Sequence, residues 1–112
     1  MSTPARIRAT IAGIASPSPD LHHFAVVHKA MSDPTRLRIL QRLTRGDGTV
    51  TDLMRHVDLS QPLVSWHLRR LRTAGLVETR RSGREVICSL SRDALRRFHE
   101  DEHRLLGLLG QP

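Results

Sequence analysis

Between Ser60 and Leu90 the chain carries six arginines (Arg69, Arg70, Arg72, Arg80, Arg81 and Arg84) against two acidic residues, Glu78 and Glu85. A guanidinium fork donates two hydrogen bonds at once, so clustered arginine suits phosphate recognition. Interleaved with these cations are Gln61, Ser65, Trp66 and His67, which offer hydrogen bonds or apolar contact to the edges of bases. The whole chain of 112 residues has a net charge of +7, and 17 of its 18 basic residues are Arg. A second constellation is histidine. Seven occur in all, and His99-Glu100-Asp101-Glu102-His103 matches H-E-x-x-H, in which imidazoles one helical turn apart hold zinc and the glutamate acts as base.

These residues need elements to position them. The length allows one domain with a modest core, and a monomer of this size is marginal, which favours a helix-paired dimer. With only Phe24, Phe98 and Trp66 as aromatics and no Tyr, the core must come from Leu, Ile, Val and Ala, as in packed helices. Residues 1–19 are rich in Ser, Thr, Ala and Pro and read as a flexible N-terminal arm, with Ile7, Ile11 and Ile14 able to form a short amphipathic turn. Residues 20–112 read as the folded domain.

In that domain Leu21, Phe24, Ala25, His28 and Met31 share one helical face. Ser32-Asp33-Pro34 stops this helix and caps a second bearing Leu37, Ile39, Leu40 and Leu43, which Gly46-Asp47-Gly48 ends. Thr51 is expected to cap a short third helix with Leu53, Met54 and Val57. After the turn Asp58-Leu59-Ser60, Ser60 caps a fourth helix that buries Val64, Leu68 and Leu71 and turns Trp66, Arg69 and Arg70 outward. Gly75 closes it. Strands over Leu76–Arg81 and Glu85–Leu90 follow, joined by Ser82-Gly83-Arg84. Ser91 caps a last helix, spanning about 91–110, with Leu95, Phe98, Leu105 and Leu109 in one stripe. The predicted order is ααααββα: mainly α with a small β-hairpin wing, a winged helix-turn-helix.

A short turn between the third and fourth helices holds the fourth proud of the body, where it can enter a major groove. Gln61, Ser65, Trp66 and His67 then face base edges, Arg69 and Arg70 face phosphates, and Arg80, Arg81 and Arg84 form a basic wing. The plainer alternative is a helical hairpin with a solvated arginine face, and a third is a protein-binding adaptor on the same fold. The run Ala30-Met31-Ser32-Asp33-Pro34-Thr35-Arg36-Leu37-Arg38-Ile39-Leu40 resembles the "ALSDPTRLRIL" opening of the ArsR/SmtB family of bacterial repressors. Ser60–Leu71 resembles its recognition helix, and Ala74-Gly75-Leu76-Val77 with Arg81-Ser82-Gly83-Arg84-Glu85-Val86 its wing. The likeness covers about residues 24 to 90. It implies a winged-helix homodimer paired through its first and last helices, repressing a promoter with a palindromic operator on double-stranded DNA until a signal releases it. It also implies base contacts from Gln61, Ser65 and Trp66.

Departures from the family pattern bear on the signal. Metal sensors of the family often carry two cysteines in a "CVCDL" run, where this chain has Thr49-Val50-Thr51-Asp52-Leu53, without the soft thiolates such a site needs. Zinc sensors carry Asp-x-His at the start of the last helix, where Arg92 and Ala94 stand here. His28 and Glu102 fall on apolar faces of the two helices that the resemblance pairs. His28, His99, Glu102 and His103 are therefore expected to meet at the interface, with His22 or His23 nearby. The alternatives are a buried His–Glu hydrogen bond and a bound divalent transition metal; no other cofactor is predicted. A zinc hydrolase using His99, Glu100 and His103 is the rival of another class. It needs a third ligand and a substrate cleft on what should be a pairing helix, so the expectation is no enzyme. The lone Cys88 excludes an internal disulfide and reads as a small buried thiol, with a redox switch as the alternative. It fits a reducing compartment, and no apolar run reaches membrane length or forms a signal-peptide core, so a cytoplasmic protein is expected.

Overall fold

The computed structural model describes residues 20–107. The arm expected over 1–19, with Ile7, Ile11 and Ile14, and the Leu109 end of the last helix lie outside these residues.

Local chemistry sets each helix start. Asp20 caps α1 (Leu21–Met31), its carboxylate accepting from the amides of His22 and His23 at 3.0 and 3.2 Å. Asp33 caps α2 (Pro34–Leu43), accepting from the Arg36 amide at 3.0 Å, and Pro34 occupies the first turn, where no N–H is missed. A two-residue strand, β1 (Gly48–Thr49), comes next, so the order is ααβααββα and not the expected ααααββα. The cap of α3 (Val50–Val57) is Thr49, not Thr51. The Thr49 hydroxyl accepts from the Asp52 amide and the Asp52 carboxylate accepts from the Thr49 amide, both at 2.9 Å. These hydrogen bonds to Thr49 hold the Asp52 carboxyl below its ordinary pKa. Asp58, in the left-handed region at φ 55°, turns the chain into α4 (Gln61–Thr73). Gly75, at φ 78°, ends α4: its amide donates to Arg72 and that of Leu76 donates to Leu71, a pairing that demands a left-handed residue.

β2 (Val77–Ser82) and β3 (Glu85–Leu90) form the hairpin, with Ser82 opposite Glu85, so the turn is the two residues Gly83 and Arg84. Gly83 at φ 63° supplies the first position of a II′ turn. β3 lies between β2 and β1 in an antiparallel sheet, with Gly48 opposite Cys88. Ser91 then caps α5 (Arg92–Leu105), accepting from the Ala94 amide at 3.4 Å.

The core is aliphatic: Ile39, Leu43, Leu53, Val64, Leu71, Leu76 and Cys88 are all but sealed from solvent. α1 buries Val27 and Ala30, a different face from the expected one, and leaves Leu21, Ala25 and His28 outward. Leu37 on α2, expected in the core, is exposed. No α5 residue is fully buried; Ala94, Leu95 and Phe98 pack on the core's edge, Leu105 is exposed, and Phe98 stacks on Phe24 with ring centres 4.9 Å apart.

Some of the arginine is structural. Arg38 donates to the His56 carbonyl at 2.7 Å, Arg42 to Gly46 at 3.0 Å and Arg92 to Thr44 at 2.9 Å. Each satisfies a carbonyl at or just past the end of a helix, where intrahelical partners run out.

Candidate nucleic-acid interface

The turn at Asp58 brings α4 out at an angle that leaves its outer face open beside the hairpin. At about 100° per residue, Val64, His67, Leu68 and Leu71 form the buried stripe, and the remaining residues divide into two flanks and a crest. Pro62 and Arg69 stand on the crest, both exposed. Ser60 makes no side-chain cap bond and Pro62 has no amide proton, so the first turn of α4 presents uncapped N–H groups and a partial positive charge.

On the flank towards the hairpin, Gln61, Ser65 and Arg72 line a cleft of about 450 Å³ with Thr79, Arg81 and Arg84 opposite. The Gln61 amide donates to the Ser65 hydroxyl at 2.9 Å, so the two hydrogen-bonding groups are held together at the cleft's edge. Alternation along β2 puts Thr79 and Arg81 in the cleft and turns Arg80 the other way, where it lies 3.6 Å from Asp47. Arg72 was not among the residues singled out for contact. Its signal was spacing, because Gln61, Ser65 and Arg72 follow i, i+4, i+11 on one helical stripe.

The opposite flank faces α1. Trp66 lies there, 41 % exposed, with the Arg36 and Arg70 guanidinium centres 5.6 and 5.0 Å from its ring centre. Trp66 therefore leans into a groove shared with Val26, Lys29 and Arg70 instead of projecting from the crest.

His67 corrects the sequence expectation. It is buried, at 9 % exposure, and cannot meet a base edge. Its Nδ1 lies 3.2 Å from Nη1 of Arg36, which is equally buried, and 3.9 Å from the Asp33 carboxylate. Burial lowers the His67 pKa, the Asp33 carboxylate opposes this and the Arg36 cation adds to it. The neutral ring accepts the guanidinium's hydrogen bond. Arg36 Nε donates to the Ala30 carbonyl at 2.7 Å, so one buried side chain ties the end of α1, the start of α2 and the middle of α4. Sequence reasoning met Arg36 only within the Ala30–Leu40 run and gave it no role of its own.

The histidines do not converge within one chain. His28 tilts against Phe24 and Phe98, 5.9 Å from each ring, while His99 and His103 meet edge to face at 4.3 Å on α5. Glu100 is exposed and Glu102 half-buried. Among the described residues no three His, Cys, Asp or Glu side chains form a metal-binding group. The positions where relatives of the resembled family place ligands have other work here: Thr49 caps α3, Arg92 bonds Thr44 and Ala94 packs on the core. Cys88 is fully buried, and burial pushes its thiol up to about 11. No helix among the described residues is long and apolar enough to cross a membrane.

Helices α3 and α4, a tight turn and a basic hairpin against a three-stranded sheet define a winged helix-turn-helix protein. Residues 33–79 match the family model described as bacterial regulatory protein, arsR family. The transcriptional repressor SdpR of Bacillus subtilis is 41 % identical over 69 residues, covering 62 % of this chain and 77 % of SdpR. The arsenical resistance operon repressor of Staphylococcus xylosus is 37 % identical over 71 residues, 63 % of this chain and 68 % of that protein. Among solved structures, an ArsR-like transcriptional regulator from Rhodococcus sp. RHA1 superposes with a TM-score of 0.71 at 30 % identity, over 78 % of this chain and 82 % of that one. The chain belongs to the arsR family of bacterial regulatory proteins.

Proposed function

We infer that the protein is a DNA-binding transcriptional repressor, acting in the cytoplasm as a homodimer on an imperfectly palindromic operator. The cleft between α4 and the hairpin carries this reading. It is basic, holds Gln61 and Ser65 where base edges would pass, and has Arg72, Arg81 and Arg84 around it for phosphates. Arg69 on the crest, and Arg70 with Trp66 on the far flank, would meet the sugar-phosphate chains.

The dimer is supported by apolar surface left without a partner among the described residues. Leu21 is 64 % exposed at the start of α1 and Leu106 67 % exposed just past the end of α5, on the two helices that the stacked Phe24 and Phe98 join. A two-fold axis through those helices would set two copies of α4 one helical turn apart along the duplex. A signal can then act by favouring a spacing that does not fit, provided it binds the two states with different affinity.

Fluorescence anisotropy on the protein's own promoter duplex tests this. Arg69→Ala should weaken binding to every sequence and flatten its salt dependence, while Gln61→Ala should erode preference among sequences. An Arg69→Ala protein with unchanged affinity and salt slope contradicts the docking.

A second reading, a metal-responsive repressor, is favoured by the His99–His103 pair and by a relative named for arsenical resistance. With no third ligand beside the pair among the described residues, the ion would need the partner copy's His28, Glu102 or histidines. Binding that survives chelator and weakens with zinc, nickel or cobalt supports it, and binding indifferent to all three ends it. Nothing in the site calls for catalysis by His99, Glu100 and His103.

A further inference from the structure

The groove between α1 and the α1-facing flank of α4 has features that reading DNA does not require. It encloses about 430 Å³, within the few hundred cubic ångströms typical of small-molecule sites, and is lined by Val26, Lys29, Arg36, Trp66, Arg70 and Thr73. Three of these are cations and none is a carboxylate; Asp33, the acid of this corner, is turned to the α2 N-terminus and His67. Arg36 is nine-tenths buried, and its Nε and Nη1 are committed to Ala30 and His67. Its Nη2 has no hydrogen-bond partner among the described residues, and a buried donor in that state is uncommon. Beside it stands the ring of Trp66, the chain's single tryptophan, with the Arg36 and Arg70 guanidinium centres 5.6 and 5.0 Å from its centre and Val26 as an apolar wall.

We propose that this groove binds a small organic anion with a flat apolar body, an aromatic carboxylate in type, and that the bound anion competes with DNA for Trp66 and Arg70. The carboxylate is the natural acceptor for the guanidinium and ammonium groups, and the flat body fits against the indole. The competition half rests on the repressor reading above; the site itself does not. The groove opens away from the inferred dimer face, with Lys29 on the border between the two. At about 100° per residue, Val26 and Lys29 lie roughly a third of a turn around α1 from Leu21, Phe24 and His28. Because Trp66 and Arg70 belong to α4, an anion seated there pulls their charge and ring surface towards α1 and away from the duplex. Under simple competition, anion at ten times its own dissociation constant weakens apparent DNA affinity about tenfold.

Trp66 makes the test direct, since all tryptophan emission comes from the groove. The intact protein is titrated with benzoate and 2-naphthoate, with benzyl alcohol as the neutral control and inorganic phosphate as the anion without a flat body. The expected result is a saturable change in emission with the aromatic acids in the millimolar range or tighter, and none with benzyl alcohol or phosphate. In the anisotropy assay the same acids should release the promoter duplex. Lys29→Ala should weaken the acids several-fold while leaving DNA affinity in their absence unchanged. Emission indifferent to both acids in a protein that binds duplex tightly overturns the site. A response to phosphate equal to that for benzoate overturns the ligand class and leaves a bare phosphate contact. Saturable emission changes in a protein that binds no duplex would uphold the site and sink the repressor reading instead.

Discussion

The two flanks of α4 differ in what holds them. On the hairpin side, Gln61 and Ser65 are bonded to each other and face a strand whose alternation fixes Thr79 and Arg81 in the cleft. On the α1 side, Trp66 has two guanidinium groups over its ring, one of which, Arg36, is buried and tied to α1, α2 and His67. One flank is therefore organised by local elements, the other by a polar network reaching across the fold. Under the proposals above, duplex and anion would share Trp66 and Arg70, while Gln61 and Ser65 would belong to the duplex alone.

Removing the network's hub should show the difference most strongly. Arg36→Ala orphans the Ala30 carbonyl and the buried His67 ring, and should cost about 3 kcal/mol of stability by chemical denaturation. A loss no larger than that of a surface substitution would mean that the α1 flank is held by packing alone. On the other flank, Gln61→Ala should leave stability unchanged and cost about 2 kcal/mol of discrimination between the operator and singly substituted duplexes. Arg81→Ala should act more evenly, lowering affinity for all duplexes and reducing the log–log salt slope by about 1. If instead it altered preference at one base pair, the hairpin would be reading sequence.

The smallest expected effect is on pH. The folded-state pKa of His67 lies below the ordinary value of 6.5. As pH falls through 6.5 the unfolded chain takes up a proton that the folded chain refuses, so stability should decline until the folded pKa is passed. Above 6.5 both states are neutral and the effect vanishes. Stability of the wild type should thus fall more between neutral and mildly acidic pH than that of His67→Gln, whose amide cannot titrate. Equal slopes would remove His67 from the account.

The helices and the hairpin were legible because their signals are local: Asp33 before Pro34, Gly75 after a periodic run, and Gly83 between two strands. β1 was not, since two residues carry no periodicity and only pairing with Cys88 and Ile87 makes them a strand. The α3 cap was misplaced by two residues although Thr49 and Asp52 have the capping-box spacing. His67 was placed outward because it is polar, yet it lies three residues after Val64 and four before Leu71, squarely in the buried stripe. What makes its burial tolerable is Arg36, which is 31 residues away in sequence and invisible to any local pattern. The face of α1 was misassigned for a related reason. Apolar residues stand on both its faces, Leu21 and Ala25 outward and Val27 and Ala30 inward, so spacing alone did not single out the buried one.

The hairpin-side cleft of α4 is the surface proposed to read duplex DNA. The most direct test is the affinity of the wild-type protein for its own promoter duplex and for a scrambled duplex of equal length, measured across a salt series. Binding to both should weaken steeply with salt, with the promoter preferred by about a thousandfold or more. Equal affinity for the two duplexes, or no binding even at low salt, would contradict it.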